Sequence, residues 1–177
     1  MARCLHLRRR TKEVNMTEKT ISQYFEADHD RLDELFQNFQ KMKRVDYPKA
    51  KQFFKEFKFG LQRHIVWEED ILFPFFEEKT GIRSGGPTFV MREEHRLIGD
   101  RLEALHQKVK LADANSDREE VLLLEVLAVH NQKEELILYP AIDKSATDAD
   151  RQSVFQAMEK IPEERYALCC HKVEMKA

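Results

Sequence analysis

Two pairs of side chains able to bind a metal stand at one-turn helical spacing: His64 with Glu68 and, 66 residues later, His130 with Glu134. On an α-helix, residues at i and i+4 share a face, so each pair points an imidazole and a carboxylate the same way. The register runs further. Glu69 matches Glu135, Ile71 matches Ile137, Leu72 matches Leu138 and Pro74 matches Pro140. His29 and His95 are also 66 residues apart, and each precedes its His-x-x-x-Glu pair by 35 residues. The chain reads as a doubled helical hairpin, each half bringing one lone histidine and one His-x-x-x-Glu.

Taken singly, a buried histidine is more often a hydrogen-bonded core residue than a ligand, and one His-x-x-x-Glu arises readily by chance. Four of the seven histidines in one register are a different matter, because their helix faces are otherwise filled largely by Leu, Ile and Phe. Buried without partners, such groups are costly wherever they carry charge. A cation among them removes the difficulty. Four imidazoles and two carboxylates suit a first-row metal such as iron, manganese or zinc, whereas calcium prefers oxygen throughout. The set exceeds the needs of one tetrahedral ion and matches two, each with two histidines.

The elements that must position these groups are legible too. A first helix is expected over about Thr20 to Arg44, with Ile21, Phe25, Leu32, Leu35, Phe36 and Phe39 mostly at three- and four-residue steps and His29 between them. Asp46-Tyr47-Pro48 breaks it, with Pro48 placed for the first turn of a second helix. Pro74 and Pro140 are expected to kink or end the second and fourth helices. The glycine-rich Thr80 to Pro87 divides the halves. A third helix is expected over Thr88 to Ala112 and a fourth over Asp117 to Asp143, begun by a Ser116/Glu119 capping box. A short fifth, Asp148 to Lys160, precedes Pro162. This describes an all-α, up-down-up-down four-helix bundle over 19–146, with a short C-terminal helix and tail over 147–177.

Composition narrows the function. A net charge of −2 implies no bulk attraction to nucleic acid or membrane, so neither is an expected partner. No apolar run approaches a membrane span. Cys4, Cys169 and Cys170 lie near the ends without a C-x-x-C, which suits a reducing, cytoplasmic setting. Residues 1–18 carry Arg3, Arg8, Arg9, Arg10 and Lys12 without the apolar centre of a secretory signal, and read as a disordered basic tail. Asp33, one turn beyond His29, is a candidate to orient a ligand. His106 lies too far along its helix from His95 to join it. Tyr24, Phe25 and Trp67 stand where they could shape a path to the site or simply pack.

With these motifs in hand, the sequence resembles the hemerythrin-like, HHE cation-binding domain family. The matching residues are His29, His64-Ile65-Val66-Trp67-Glu68-Glu69, Glu94-His95 and His130-Asn131-Gln132-Lys133-Glu134-Glu135, with the Leu72-Phe73-Pro74 and Leu138-Tyr139-Pro140 tails. The resemblance implies a four-helix bundle around two iron ions, a non-haem di-iron centre with Glu68 and Glu134 as bridging carboxylates. Departures narrow it. Oxygen carriers of the family place two histidines four residues apart on the third helix, where this chain has only His95, flanked at that spacing by Met91 and Gly99. They also end on an aspartate five residues after the last histidine, where this chain has Glu134 at four. The chain is therefore similar to the branch with four histidines and two glutamates. That branch is associated with oxygen or nitric oxide sensing, iron handling and repair of iron–sulfur clusters. Repair-type members often carry a cysteine-bearing N-terminal domain, for which Cys4 on a short tail is a weak counterpart. Oxygen or nitric oxide is the small-ligand partner this implies.

Overall fold

The computed structural model describes residues 19–167. The basic stretch 1–18 and Cys4, Cys169 and Cys170 lie outside the described residues. Within them the chain is all-helical, with α1 Ile21–Met42, α2 Tyr47–Trp67, α3 Phe73–Thr80, α4 Pro87–Lys110 and α5 Asp117–Lys133. There follow α6 Tyr139–Ser145, α7 Asp148–Glu159 and α8 Glu163–Ala167, and two π-helical turns, π1 Glu68–Leu72 and π2 Glu134–Leu138.

Among the described residues the eight α-helices exceed the expected five because the second and fourth are each interrupted by a π turn and because α8 is added at the end. Neither Pro74 nor Pro140 ends its helix. Proline has no N–H and its ring crowds the carbonyl four residues back. A π turn just upstream meets that difficulty by closing five-residue loops instead: Phe73 N–H donates to Glu68 O, and Tyr139 N–H to Glu134 O. Each proline then falls in the first turn of the helix that follows, α3 or α6. Helix α8, beyond Pro162, was not foreshadowed by the pattern.

Caps fix the remaining boundaries. Thr20 and Gln23 form a capping box on α1, and Thr147 and Asp150 form one on α7. Asp143 of α6 accepts the Ile21 and Ser22 N–H groups at 2.7 and 3.0 Å, tying the free donors at the start of α1 to the other half of the chain. Asp46 caps α2 with Pro48 behind it, as the sequence suggests. The expected Ser116 capping box does not form. The Ser116 hydroxyl donates instead to Glu120 Oε1 at 2.6 Å, because Glu120 is buried and in need of donors.

Packing joins like to like. Helix α1 lies along α2 and α4 along α5, while α1 meets α6 and α3 meets α6 across the halves. Helix α7 packs on π1 and α8 on α2. Aromatic rings fill the end away from π1 and π2, with Phe36 against Phe57 and Phe39 against Phe54 at centroid separations of 4.7 and 5.3 Å. At that end Lys43 is buried and bonds Glu120 and Asp117 at 2.5 and 2.8 Å. The repeat places Val109 and Phe54 at the positions equivalent to Lys43 and Glu120, so one half carries a buried ion pair where the other is apolar.

Removing one member of such a pair strands a buried charge. Lys43→Met should destabilise by about 3–5 kcal/mol, whereas Lys43→Met with Glu120→Leu should recover most of the loss. Urea unfolding of the two variants against wild type checks this, and equal losses in both would contradict it.

Candidate metal centre

All six residues expected from the spacing come together. Glu68, His95, His130 and Glu134 each offer a ligand atom within 4.8 Å of one another, and so do His29, His64 and Glu134. All six are buried, and the two glutamates have no exposed surface. The elements explain the convergence. Helices α1 and α4 bring one histidine each, α2 and α5 bring His64 and His130 near their C-termini, and each glutamate opens a π turn. The two carboxylates stand between the two groups. Glu134 places Oε2 3.5 Å from His29 Nε2 and Oε1 3.1 Å from His130 Nε2. Glu68 Oε2 lies 3.2 Å from His95 Nε2 and 3.6 Å from His64 Nε2.

Every imidazole is held from behind by a carboxylate on Nδ1. Asp28 accepts from His64 at 3.1 Å and Glu94 from His130 at 3.0 Å. Glu135 accepts from His29 at 2.7 Å and Glu69 from His95 at 2.8 Å. A histidine that donates Nδ1–H turns its Nε2 lone pair to the opposite side, the arrangement that orients metal ligands. These four acids obey the same 66-residue register: Asp28 matches Glu94, and Glu69 matches Glu135. Asp28 and Glu94 serve their own half; Glu69 and Glu135 reach across to the other. Sequence reasoning had Glu69, Glu94 and Glu135 within its motifs without assigning them this work, passed over Asp28, and offered Asp33 as the orienting residue. Asp33 lines a small space beside His29 and forms no hydrogen bond to any of the four imidazoles among the described residues.

The residues fit a pair of ions. Glu68 Oε2, His95 Nε2 and Glu134 Oε1 are buried atoms with no hydrogen-bond partner. His29 and His64 face each other Nε2 to Nε2 at 3.1 Å. With both Nδ1 atoms donating outward, two lone pairs meet there and repel unless a cation or proton lies between them. Two donors bound to one ion at about 2.1 Å and near a right angle would stand about 3 Å apart.

Without a metal, protons supply the missing charge. Burial pulls His29 down, but Glu134 and Glu135 outweigh it and push it up to about 9. Burial likewise works against His95, and Glu68 and Glu69 push it up to about 10. Burial opposes the charge of Glu134 as well, yet His130, His29 and His95 hold it well below the usual carboxylate range.

The halves differ at one place in the centre. Tyr139 of α6 directs its hydroxyl at Glu68 Oε1 (2.7 Å) and Glu134 Oε2 (3.0 Å), with His64 Nε2 at 3.3 Å. Burial, then the two carboxylates, push the phenol well up, so it stays a donor. Its repeat counterpart is Phe73, whose ring stacks on His95 at 5.7 Å and 10°. Beside the cluster, a space of about 10 Å³ is lined by His29, His64, His130, Leu61, Ile98 and Leu127, among others. Phe25 packs edge-on against His64, whereas Tyr24 and Trp67 pack with Phe155 and Tyr166; none of the three lines that space. His106 lies outside the cluster, stacked on Phe54 with Nδ1 on Glu103. It borders a separate groove of about 600 Å³ that holds none of the six residues.

The model of the hemerythrin HHE cation-binding domain matches residues 20–142. An iron-sulfur cluster repair protein, YtfE of Yersinia pseudotuberculosis, is 32% identical over 100 residues, 53% of this chain and 45% of its own length. The YtfE of Edwardsiella ictaluri is 35% identical over 92 residues, 48% of this chain and 41% of its own. The matched segment thus spans less than half the length of these curated relatives. No solved structure matches at a comparable level of significance.

Two outcomes follow from the geometry. Glu69→Gln and Glu135→Gln should each weaken metal binding by about 10–100-fold with helicity intact, as removal of an orienting acceptor does; unchanged affinity by chelator competition would count against their role. The second concerns pH. Because His29 and His95 are raised in the folded chain, their protonation contributes stability in full below about 6.5 and loses it as pH rises through about 9 and 10. Metal and proton compete for the inward Nε2 atoms, so metal uptake should release protons and strengthen as pH rises. Metal titrations in weakly buffered solution read both effects, and uptake without proton release would contradict them.

Proposed function

The chain belongs to the hemerythrin HHE cation-binding family, and on that premise we propose that it is a non-haem di-iron protein that binds or senses a small diatomic ligand, oxygen or nitric oxide. In this reading, residues 19–146 form an up-down-up-down four-helix bundle. Helix α1, α2 with α3, α4, and α5 with α6 are its four limbs, and 147–177 is an appended C-terminal segment. The observation that carries the proposal is the set of four inward Nε2 atoms, each fixed from behind by a carboxylate, around two fully buried glutamates.

In this reading His29 and His64 would hold one ion and His95 and His130 the other, with Glu68 and Glu134 as the carboxylates shared between them. Bound there, the irons supply the electrons that reaction with such a ligand requires. The chain supplies the rest. Asp28, Glu69, Glu94 and Glu135 keep the imidazoles from turning. Leu61, Ile98 and Leu127 keep bulk water from the adjoining space, whose roughly 10 Å³ suits one molecule no larger than a water or a diatomic. The Tyr139 hydroxyl stands beside His29 and His64 as a neutral donor at the centre. With no second histidine on α4 at Gly99 or Met91, the chain supplies four imidazoles, one fewer than the oxygen carriers.

A second reading, handling of iron for repair of iron–sulfur clusters, is favoured by the likeness to iron-sulfur cluster repair proteins. The size of the adjoining space bears on it. An intact cluster does not fit there, so in that reading the centre would exchange iron or a small ligand with the damaged cluster. A cytoplasmic location belongs to both readings; no helix among the described residues is long and apolar enough to cross a membrane.

Anaerobic purification followed by metal analysis and optical spectra tests the proposal. Two irons per chain are expected, with a rapid spectral change when the reduced protein meets oxygen or nitric oxide. Glu68→Ala and Glu134→Ala should each lower metal content sharply and reduce thermal stability. Full iron occupancy in either variant would rule out bridging, and spectral silence toward both gases would rule out the diatomic-ligand function.

A further inference from the structure

The two halves of the centre repeat at every metal-facing position, and the break in that symmetry at its heart is Tyr139 opposite Phe73. We propose that Tyr139 makes the two metal positions unequal, so that the position at His95 and His130 fills first and the position at His29 and His64 fills second and more weakly. This rests on the di-iron reading above and adds to it an order of filling and the residue that sets it.

The argument is an inventory of what each ligand atom must give up. Three buried atoms of the centre have no hydrogen-bond partner within the described residues, Glu68 Oε2, His95 Nε2 and Glu134 Oε1, and all three face the His95/His130 position. A cation arriving there displaces the proton on His95 Nε2, as its counterpart must displace the one on His29, but it meets no hydroxyl on the atoms it takes up, and unpartnered polar atoms are costly in a buried site. At the other position the atoms are already engaged. Tyr139 donates to Glu68 Oε1 at 2.7 Å and lies 3.0 Å from Glu134 Oε2, the oxygen that faces His29. Its hydroxyl is also 3.3 Å from His64 Nε2. A cation entering beside His29 and His64 must therefore share Glu134 Oε2 with the phenol and finds Glu68 Oε1 taken. Glu68 then reaches both positions through Oε2 alone, and that oxygen is nearer His95 than His64, 3.2 against 3.6 Å.

Phe73 offers no such competition. Its ring lies flat against His95 and carries no donor. A single hydroxyl in a pair of related aromatic residues thus separates two sites whose ligand residues repeat.

The test is anaerobic titration of metal-free protein with iron(II) against a chromophoric chelator. Wild type should bind two irons in two steps separated by about tenfold or more, the scale at which partners of ligand atoms act. His130→Gln should remove the tighter step and His64→Gln the weaker one. Tyr139→Phe, which keeps the ring and removes the hydroxyl, should retain two irons and draw the two steps together by tightening the second. Phe73→Tyr should weaken the first. An unchanged separation in Tyr139→Phe, or a second step weakened further, would overturn the inference while leaving the di-iron reading intact. A visible tyrosinate band in the ferric wild type that Tyr139→Phe lacks would overturn it too, by making Tyr139 a ligand. A wild-type capacity below two irons would instead overturn the di-iron reading and this inference with it.

Discussion

Two carboxylates with no exposed surface, Glu68 and Glu134, set the terms for the whole molecule. An ionised carboxylate out of water is costly unless positive charge and donors surround it. Four imidazoles, a phenol and either protons or metal ions provide that surrounding. Each imidazole in turn needs a partner on its far nitrogen, and an acid at the edge of the bundle accepts from each. Charge therefore alternates outward from the centre: carboxylate, imidazole, carboxylate, and behind Asp28 and Glu94 a cation from Arg31, Arg63 or Lys133. Helix placement, loop length and caps serve to close those shells without a gap.

The π turns belong to the same requirement. A glutamate four residues after a histidine can share its face, but the following apolar residues must then return to the core while a proline intervenes two turns on. One widened turn starting at each glutamate reconciles the three. Leu72, Phe73 and Phe76 stay buried after Glu68, and Leu138, Tyr139 and Ile142 after Glu134. That both turns occupy equivalent places in the repeat, with the same proline after each, ties them to the ligand positions.

Much of this was legible in the chain itself. The six central residues announce themselves because a histidine on an apolar face is conspicuous, and a register repeated at every one of them is more so. Of the four outer acids, Glu69, Glu94 and Glu135 stood within the motifs and Asp28 went unread. Pattern could not separate them from ordinary solvated acids, since Glu69 and Glu135 sit at the surface edge and differ from their neighbours only in what they touch. The prolines told only part, because local rules allow a kink or a stop there and only the tertiary need for a continuous limb reveals the π turn. Ser116 failed as a cap for a similar reason: a buried partner 4 residues away outbid the local backbone. Tyr139 and Phe73 stood in the sequence only as members of the two matching tails, and the fold alone shows that one hydroxyl points into the centre.

The crossing of Glu69 to His95 and Glu135 to His29 has a consequence for how such a chain could have arisen. A single hairpin holding His29, His64 and Glu68 contains Asp28 to steady His64, but nothing of its own to steady His29. Two identical hairpins facing each other about a dyad would complete each other, every lone histidine finding its acid on the opposite copy. Tandem duplication of a gene for a symmetric dimer would then preserve the centre unchanged, with the segment around Gly81–Gly86 as the splice. Copies so fused would be free to diverge, and a phenol on one side and a phenyl on the other is the kind of difference that a homodimer of one gene cannot carry.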